Sequence, residues 1–248
     1  MAKPLPRMLE VIRSTRISEH MLRVTLGGDA LTDFPDDQES AYLKLMFPRQ
    51  DSERTLIRTY TIRHQRPTEL DVDFFIHDHT GPASSWAVNA QPGDRILVGG
   101  PGPKKLISQP ADWYLFVGDM TALPAISVNL TLLPPQATGH VVIEAVSEAD
   151  EQQLVHPEGM TVHWAIQAKP DASGTFLTSR IKTLPWLDGQ PAIWAACEFN
   201  SMRQLRTYFK EVRKTPRSHL YISSYWKIGQ SEDDHKVTKR QDADHQAA

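Results

Sequence analysis

Three glycines and two prolines in succession, Gly99-Gly100-Pro101-Gly102-Pro103, constrain this chain more than any other stretch, because such a run continues neither a helix nor a strand. The pattern of the sequence changes across it. Before it come short stretches of alternating apolar and polar residues. After it come a continuous apolar run and apolar residues at helical spacing. A boundary near 105–111 therefore divides the 248 residues into a β domain over 1–108, an α/β domain over 109–230 and a polar extension over 231–248, a length that suits two domains of modest size.

In the first part, candidate strands lie near 8–17, 20–26, 41–47, 56–63, 69–77 and 95–99. Leu22, Val24 and Leu26 alternate, as do Leu43, Leu45 and Phe47, and Leu70, Val72, Phe74 and Ile76. Six short strands separated by turn signals predict a closed six-stranded antiparallel barrel, which leaves no exposed sheet edge.

In the second part, Trp113-Tyr114-Leu115-Phe116-Val117-Gly118 reads as a strand buried on both faces. A helix follows with Leu123, Ile126, Leu130 and Leu133 on one face, Pro124 in its first turn and Pro134-Pro135 ending it. Further strands are expected at 140–146, 160–166, 191–197 and 219–223. Met202, Leu205, Phe209 and Val212 predict a helix capped by Asn200 or Ser201. Strands alternating with helices imply a parallel sheet with a nucleotide crevice at its carboxyl edge. No G-x-G-x-x-G follows the first strand, which argues against an ordinary NAD dehydrogenase.

Composition excludes several classes. A formal net charge of -3 gives no bulk basic character for nucleic acid. The single cysteine, Cys197, rules out an intrachain disulfide framework and fits a reducing compartment. There is no apolar run long enough to span a bilayer, and the first residues lack a signal-peptide core, so a cytoplasmic protein is expected. The extension over 231–248 reads as a mobile tail or an added helix.

The richest stretch is 58–86. On a strand, Arg58 and Tyr60 share one face and Thr59 and Thr61 the other. Arg58 offers a planar fork of donors to a phosphate, Tyr60 a ring for a flat cofactor, and Thr61 a hydrogen-bonding group for a ring nitrogen. After the next strand, Gly81-Pro82-Ala83-Ser84 opens a short helix whose free N–H groups make an anion pocket. Taken singly, each piece is an ordinary strand or turn; the order and spacing carry the signal.

R-T-Y-T, then D-V-D-F-F-I-H, G-P-A-S-S-W-A, P-G-D-R-I-L-V-G-G-P and V-G-D-M-T-A-L-P-A-I resemble the siderophore-interacting proteins, flavin-dependent ferric-siderophore reductases related to the ferredoxin reductases. The resemblance runs from about Arg7 to Gly229. It implies an FAD-binding barrel followed by a nicotinamide-nucleotide-binding domain, with electrons passing from NADH or NADPH through FAD to ferric iron. A reductase for another acceptor, such as a ferredoxin or a quinone, and a siderophore binder without turnover are the alternatives.

The expected cofactor-binding residues are Arg58, Thr59, Tyr60, Thr61, Phe75, His77, Gly81, Pro82, Ala83, Ser84 and Trp86 in the first part, and Asp119, Thr121, Glu198, Tyr225 and Trp226 in the second. Thr121 sits either where a nicotinamide approaches or simply as a helix cap. Glu198 ends a strand that faces the nicotinamide in ferredoxin reductases. Tyr225 and Trp226 either pack over the flavin, seal the domain interface or belong to the core. Lys227 stands in the family's basic position, and with Thr121 it forms the expected catalytic pair. Lys44, Arg63, Lys104 and Lys227 are the expected contacts to an anionic ferric siderophore. His77-Asp78-His79 is inviting, but no Cys or Glu cluster gives zinc-like spacing, so no metal site is expected. A ferredoxin is the alternative donor, and a monomer is expected.

One loop bears on the donor. Ser147-Glu148-Ala149-Asp150-Glu151 follows the second strand of the α/β domain, a usual place to meet the adenosine ribose. It offers three carboxylates and no cation to a 2′-phosphate, which favours NADH over NADPH, although Arg180 or Lys182 could reach in from elsewhere.

Overall fold

The structure, a computed structural model, describes residues 5–49, 52–77, 81–108 and 110–247; Asp78 and His79 of the His77-Asp78-His79 run lie outside them. The chain divides into two compact units. The first extends to Leu106 and takes in Ser127–Asn129 and Ala149–Leu154, and the rest forms the second.

In the first unit, β1 (Arg7–Ser18), β2 (Met21–Gly27), β3 (Tyr42–Arg49), β4 (Ser52–Arg66), β5 (Glu69–Phe75) and β6 (Arg95–Gly99) close into a barrel in the order β1-β2-β5-β4-β3-β6. All its pairings are antiparallel. The alternating residues face inward: Leu22, Val24, Leu26, Leu43, Leu45, Leu70, Val72 and Phe74 are all buried. The opposite face of β5 is also covered, because Asp71 and Asp73 are buried there as carboxylates. Both oxygens of Asp73 accept from Arg23, at 2.7 and 2.8 Å. Asp71 accepts from Arg66 and from Thr25, the condition on which a charge can be buried. β4 runs past the expected residue 63 to Arg66, with a register shift between Ile62 and His64 that lets it stay paired with β5. α1 (Pro82–Asn89) follows β5.

The second unit is a five-stranded parallel sheet, order β11-β10-β7-β8-β9, built from β7 (Trp113–Asp119), β8 (Gly139–Ala145), β9 (Met160–Ile166), β10 (Pro191–Glu198) and β11 (Leu220–Trp226). Its helices are α2 (Leu123–Thr131), α3 (Phe176–Lys182), α4 (Phe199–Thr207) and α5 (Glu232–Ala247). Leu123, Ile126 and Leu130 lie buried on α2 as their spacing predicts, whereas Leu133 is buried just past its end.

Three points differ from the sequence reading. α4 does not continue regularly to Val212: a π-turn over Tyr208–Val212 replaces it, and Val212 stands 64% exposed. A π-turn adds a residue to the turn and rotates later positions off the buried stripe. The cap of α4 is Glu198, two or three residues earlier than expected, because its carboxylate reaches forward to the first free N–H groups. α3 had no readable signal, since seven residues are too few to show a period.

The extension is a helix, not a tail. α5 is polar almost throughout, so tertiary anchors hold it. Arg206 grips Asp242 with two hydrogen bonds of 2.6 and 2.9 Å, Lys239 donates to Ser223 Oγ and Ser224 O, and buried His235 bonds Ser224 Oγ at 2.9 Å. Among the described residues no helix is long and apolar enough to cross a membrane.

Candidate functional site

In the barrel unit, β3 and β4 pair Leu43 with Tyr60 and Leu45 with Arg58. Directly paired residues share a face, so Arg58 and Tyr60 lie on the face that carries the core residues Leu43 and Leu45. Thr59 pairs with Lys44 on the other face, which is also where Lys44 meets Gly99. Tyr60 is half-buried. Its ring lies 4.4 Å from that of Phe74, and Phe74 in turn lies 5.9 Å from Trp86. Trp86 on α1 also meets Phe47 edge-on at 5.9 Å. The aromatic cluster thus joins β4, β5 and α1. Arg58 spends one N–H on its neighbour's carbonyl, Ile57 O, at 2.9 Å.

α1 opens at Gly81 with Pro82 at its start and no side-chain cap. Ser84 is buried and its hydroxyl lies 3.4 Å from Phe75 O, tying the helix start to the end of β5; Ala83 packs into the core beside it. Phe75 and His77 stand 5.6 Å apart. The first turn of α1 therefore lies beside Tyr60's cluster, and among the described residues no carboxylate bonds its N–H groups. Of the expected siderophore contacts in this unit, Lys104 is paired with Asp37 at 2.8 Å. Arg63 is half-buried, and burial pulls its pKa below the ordinary arginine value.

The second unit has the opposite character at the carboxyl edge of its sheet. Asp119, at the end of β7, accepts from Thr121 N (2.9 Å) and Thr121 Oγ1 (2.5 Å) on one oxygen, and from Glu198 N (2.9 Å) and Trp226 Nε1 (2.7 Å) on the other. Burial raises its pKa above the usual carboxylate range, against these donors. Glu198, at the end of β10, accepts from Asn200 N and Ser201 N at the start of α4, and from Ile228 N beyond β11. Asp171, in the loop after β9, accepts from the N–H groups of Ser173, Thr175 and Phe176 at the start of α3. With the Ser173 hydroxyl as the largest contributor, these bonds hold its pKa down to about 2.

At Thr121, where a nicotinamide is expected to approach, the backbone N–H and the hydroxyl are thus both committed to Asp119. Sequence reasoning missed Asp171 altogether. Its signal was the spacing Asp171-Ala172-Ser173-Gly174-Thr175, an acidic residue ahead of a small turn and a helix start. Two glycines permit this packing. A Cβ on Gly118 would lie 2.7 Å from Ile126 Cδ1, and one on Gly174, at φ +70°, would lie 2.3 Å from the Asn200 carbonyl carbon.

Glu144 completes the group. It sits on β8, paired with Asp119 across the strands, and is half-buried. Burial, followed by the charges of Asp119, Asp171 and Glu198, pushes its pKa up to about 8. Cys197 is fully buried nearby, and burial drives its thiol far above the ordinary value, so it is an inert core residue. Tyr225 packs edge-on against buried Trp194 at 6.4 Å. Lys227 lies with its ammonium 4.7 Å from the centre of the Phe199 ring.

The loop after β8 is less acidic toward solvent than its sequence implies. Asp150 is fully buried and accepts from Ser18 Oγ and His20 N, with His20 Nδ1 at 2.7 Å. Only Glu148 and Glu151 remain exposed. Glu19, His20 and Asp150 bring metal-type ligand atoms together, but the Asp150 oxygens are already used in these bonds.

Comparison with known proteins agrees with this architecture. Residues 111–229 match the siderophore-interacting protein model, and 10–57 with 49–105 match the siderophore-interacting FAD-binding domain. The chain is similar to the ferric vibriobactin reductase of Vibrio cholerae, 33% identical with 92% of each chain covered. It is also similar to the NADPH-dependent ferric-chelate reductase of Escherichia coli, 29% identical over 89% of this chain and 92% of that one. Among solved structures, the siderophore-interacting protein of Aeromonas hydrophila superposes with a TM-score of 0.86 at 31% identity, covering 97% of this chain and 98% of the other.

Proposed function

The chain belongs to the siderophore-interacting protein family, and from that premise we propose that it is a flavin-dependent reductase of ferric siderophores. The observation that carries this reading is local to the barrel unit. Arg58 and Tyr60 share one face of β4, the half-buried Tyr60 ring meets Phe74 of β5, and Phe74 meets Trp86 of α1, the helix that opens at Gly81-Pro82. This is a donor set suited to a dinucleotide: backbone N–H groups and an arginine for the pyrophosphate, aromatic rings for a flat ring system.

FAD fits these residues. Arg58 and the first turn of α1, with Gly81, Pro82, Ala83 and Ser84, would hold its phosphates. Tyr60 and Trp86, which both meet Phe74, would lie against its rings. When bound, FAD supplies two-electron acceptance from a donor and one-electron delivery to iron. The chain's own part is to bind, orient and exclude competing chemistry. Reduction of a ferric chelate by this route needs proximity and electrostatic docking and no acid–base machinery. In the sheet unit, the half-exposed Lys227 offers a cation to an anionic siderophore.

The donor in this reading is a reduced nicotinamide, NADH ahead of NADPH, with a ferredoxin as the alternative. The preference for NADH now rests on Glu148 and Glu151, since Asp150 is turned inward. The test is anaerobic titration of the purified yellow protein with each nicotinamide, followed by mixing with a panel of ferric chelates. Bleaching by a nicotinamide and re-oxidation by ferric siderophores is the expected result. A colourless protein that takes up no FAD overturns the reading.

A further inference from the structure

The parallel-sheet unit offers an unusual surface to an anionic donor. In an open parallel sheet, the pyrophosphate of a dinucleotide is ordinarily received by helix N-termini at the carboxyl edge, where free N–H groups and the helix dipole favour negative charge. Here the turn into α2 is held by Asp119, the start of α3 by Asp171 and the start of α4 by Glu198. Each is a carboxylate of this chain, standing where an incoming phosphate would otherwise find its donors. Glu144 differs from the other three. No hydrogen bond or ion pair engages its carboxyl among the described residues, and its Cα partner across the strands is Asp119. The charges acting on it come from β7, from β10 and from the loop after β9, and all are negative.

From this arrangement we infer that Glu144 is a specificity-determining residue for the electron donor: with Asp119, Asp171 and Glu198 it forms a carboxylate edge that disfavours the pyrophosphate of a nicotinamide dinucleotide. The inference rests on the proposed nicotinamide-dependent reduction and deepens it. Asp119 and Glu198 are committed to backbone and indole donors that hold the strand ends together, and Asp171 to those at the start of α3. Glu144 alone can change the charge of the edge without breaking a hydrogen bond. Because its pKa is raised to about 8, it is neutral through mildly acidic and neutral solution and ionises as pH rises through that value. Dinucleotide affinity therefore falls with rising pH.

The experiment is calorimetric binding of ADP-ribose, a redox-inert probe that carries the pyrophosphate, to wild type, Glu144→Gln and Glu144→Ala at pH 6.5 and pH 9. Wild type is expected to lose about tenfold in affinity over this range, from one added charge near the phosphates. Both variants should hold their pH 6.5 affinity. On the holoprotein, the same substitutions should lower KM for NADH at pH 9 and leave kcat unchanged. They should also leave unaltered the rate with 1-benzyl-1,4-dihydronicotinamide, a hydride donor without phosphate. Equal pH dependence in wild type and both variants overturns the inference, as does absence of ADP-ribose binding in all three. Failure of the functional reading is separately visible: dithionite-reduced holoprotein would then not reduce ferric chelates, a reaction that needs no nucleotide.

Discussion

Trp226 donates its indole N–H to Asp119 Oδ2 across 2.7 Å, joining the end of the edge strand β11 to the end of the central strand β7. The same oxygen takes Glu198 N from β10, which lies between them. One buried carboxylate therefore fixes three adjacent strand ends at the edge where a nucleotide would approach.

Removing that carboxylate should be costly. Asp119→Ala leaves the Trp226 indole and the Glu198 N–H without an acceptor in a buried setting. We expect a loss of about 3 kcal/mol, from unsatisfied donors at roughly 1–3 kcal/mol each. Asp119→Asn, with one acceptor oxygen left, should fall between. Urea unfolding followed by tryptophan fluorescence measures both, and a loss below about 1 kcal/mol for the alanine variant would show that Asp119 is not what ties the strands.

Arg58 and Tyr60 act on the cofactor. Arg58→Ala should weaken FAD retention by about 1.5–3 kcal/mol, the range for one hydrogen bond to a charged group. Tyr60→Ala should shift the flavin absorption spectrum and its reduction potential. It also opens space beside Phe74, so its folded state is checked by circular dichroism. Full flavin occupancy with an unshifted spectrum in both variants would remove this strand from the site.

Lys227 is set against the Phe199 ring, which restrains its stem while the charge remains half-exposed. Lys227→Ala is expected to raise KM for an anionic ferric siderophore several-fold while nicotinamide oxidation stays near wild type. Salt should reproduce the effect in the wild-type protein, because screening shortens the reach of exposed charges to about 8–10 Å. Siderophore kinetics that ignore both the substitution and the salt would exclude Lys227 from acceptor binding.

The nicotinamide preference tests the loop after β8. Wild type should use NADH more efficiently than NADPH, and Glu148→Arg should narrow or reverse that order by giving a 2′-phosphate a bidentate partner. If wild type instead favours NADPH by tenfold or more in kcat/KM, about 1.4 kcal/mol, Glu148 and Glu151 do not face the ribose.

Much of the architecture was legible because it rests on local pattern. Alternation at Leu22, Val24 and Leu26 and the continuous apolar run from Trp113 to Val117 both reveal strands, and the five-residue Gly/Pro run separates two styles of chain. Val212 misled because a π-turn breaks the 3.6-residue period on which its placement depended. α3 was invisible because its length gives too little period to read. The extension was ambiguous because what makes it a helix, Arg206 holding Asp242 and Ser224 meeting His235, lies outside its own sequence.

By itself, the sequence determined which residues can form strands and, through five motifs in order, the kind of cofactor the barrel suits. Only the tertiary structure decided what the polar side chains do. Asp150 reads as a solvent-facing acid but is buried against Ser18 and His20. Asp119 and Glu198 read as cofactor contacts and Asp171 went unread, yet all three occupy N–H groups at one sheet edge, and among the described residues Glu144 beside them has no hydrogen-bond partner. The physical reason is that apolar periodicity is a local property of a strand or helix, whereas the partner of a buried charge is chosen by residues far away in the chain, which meet it only when the strands are in register.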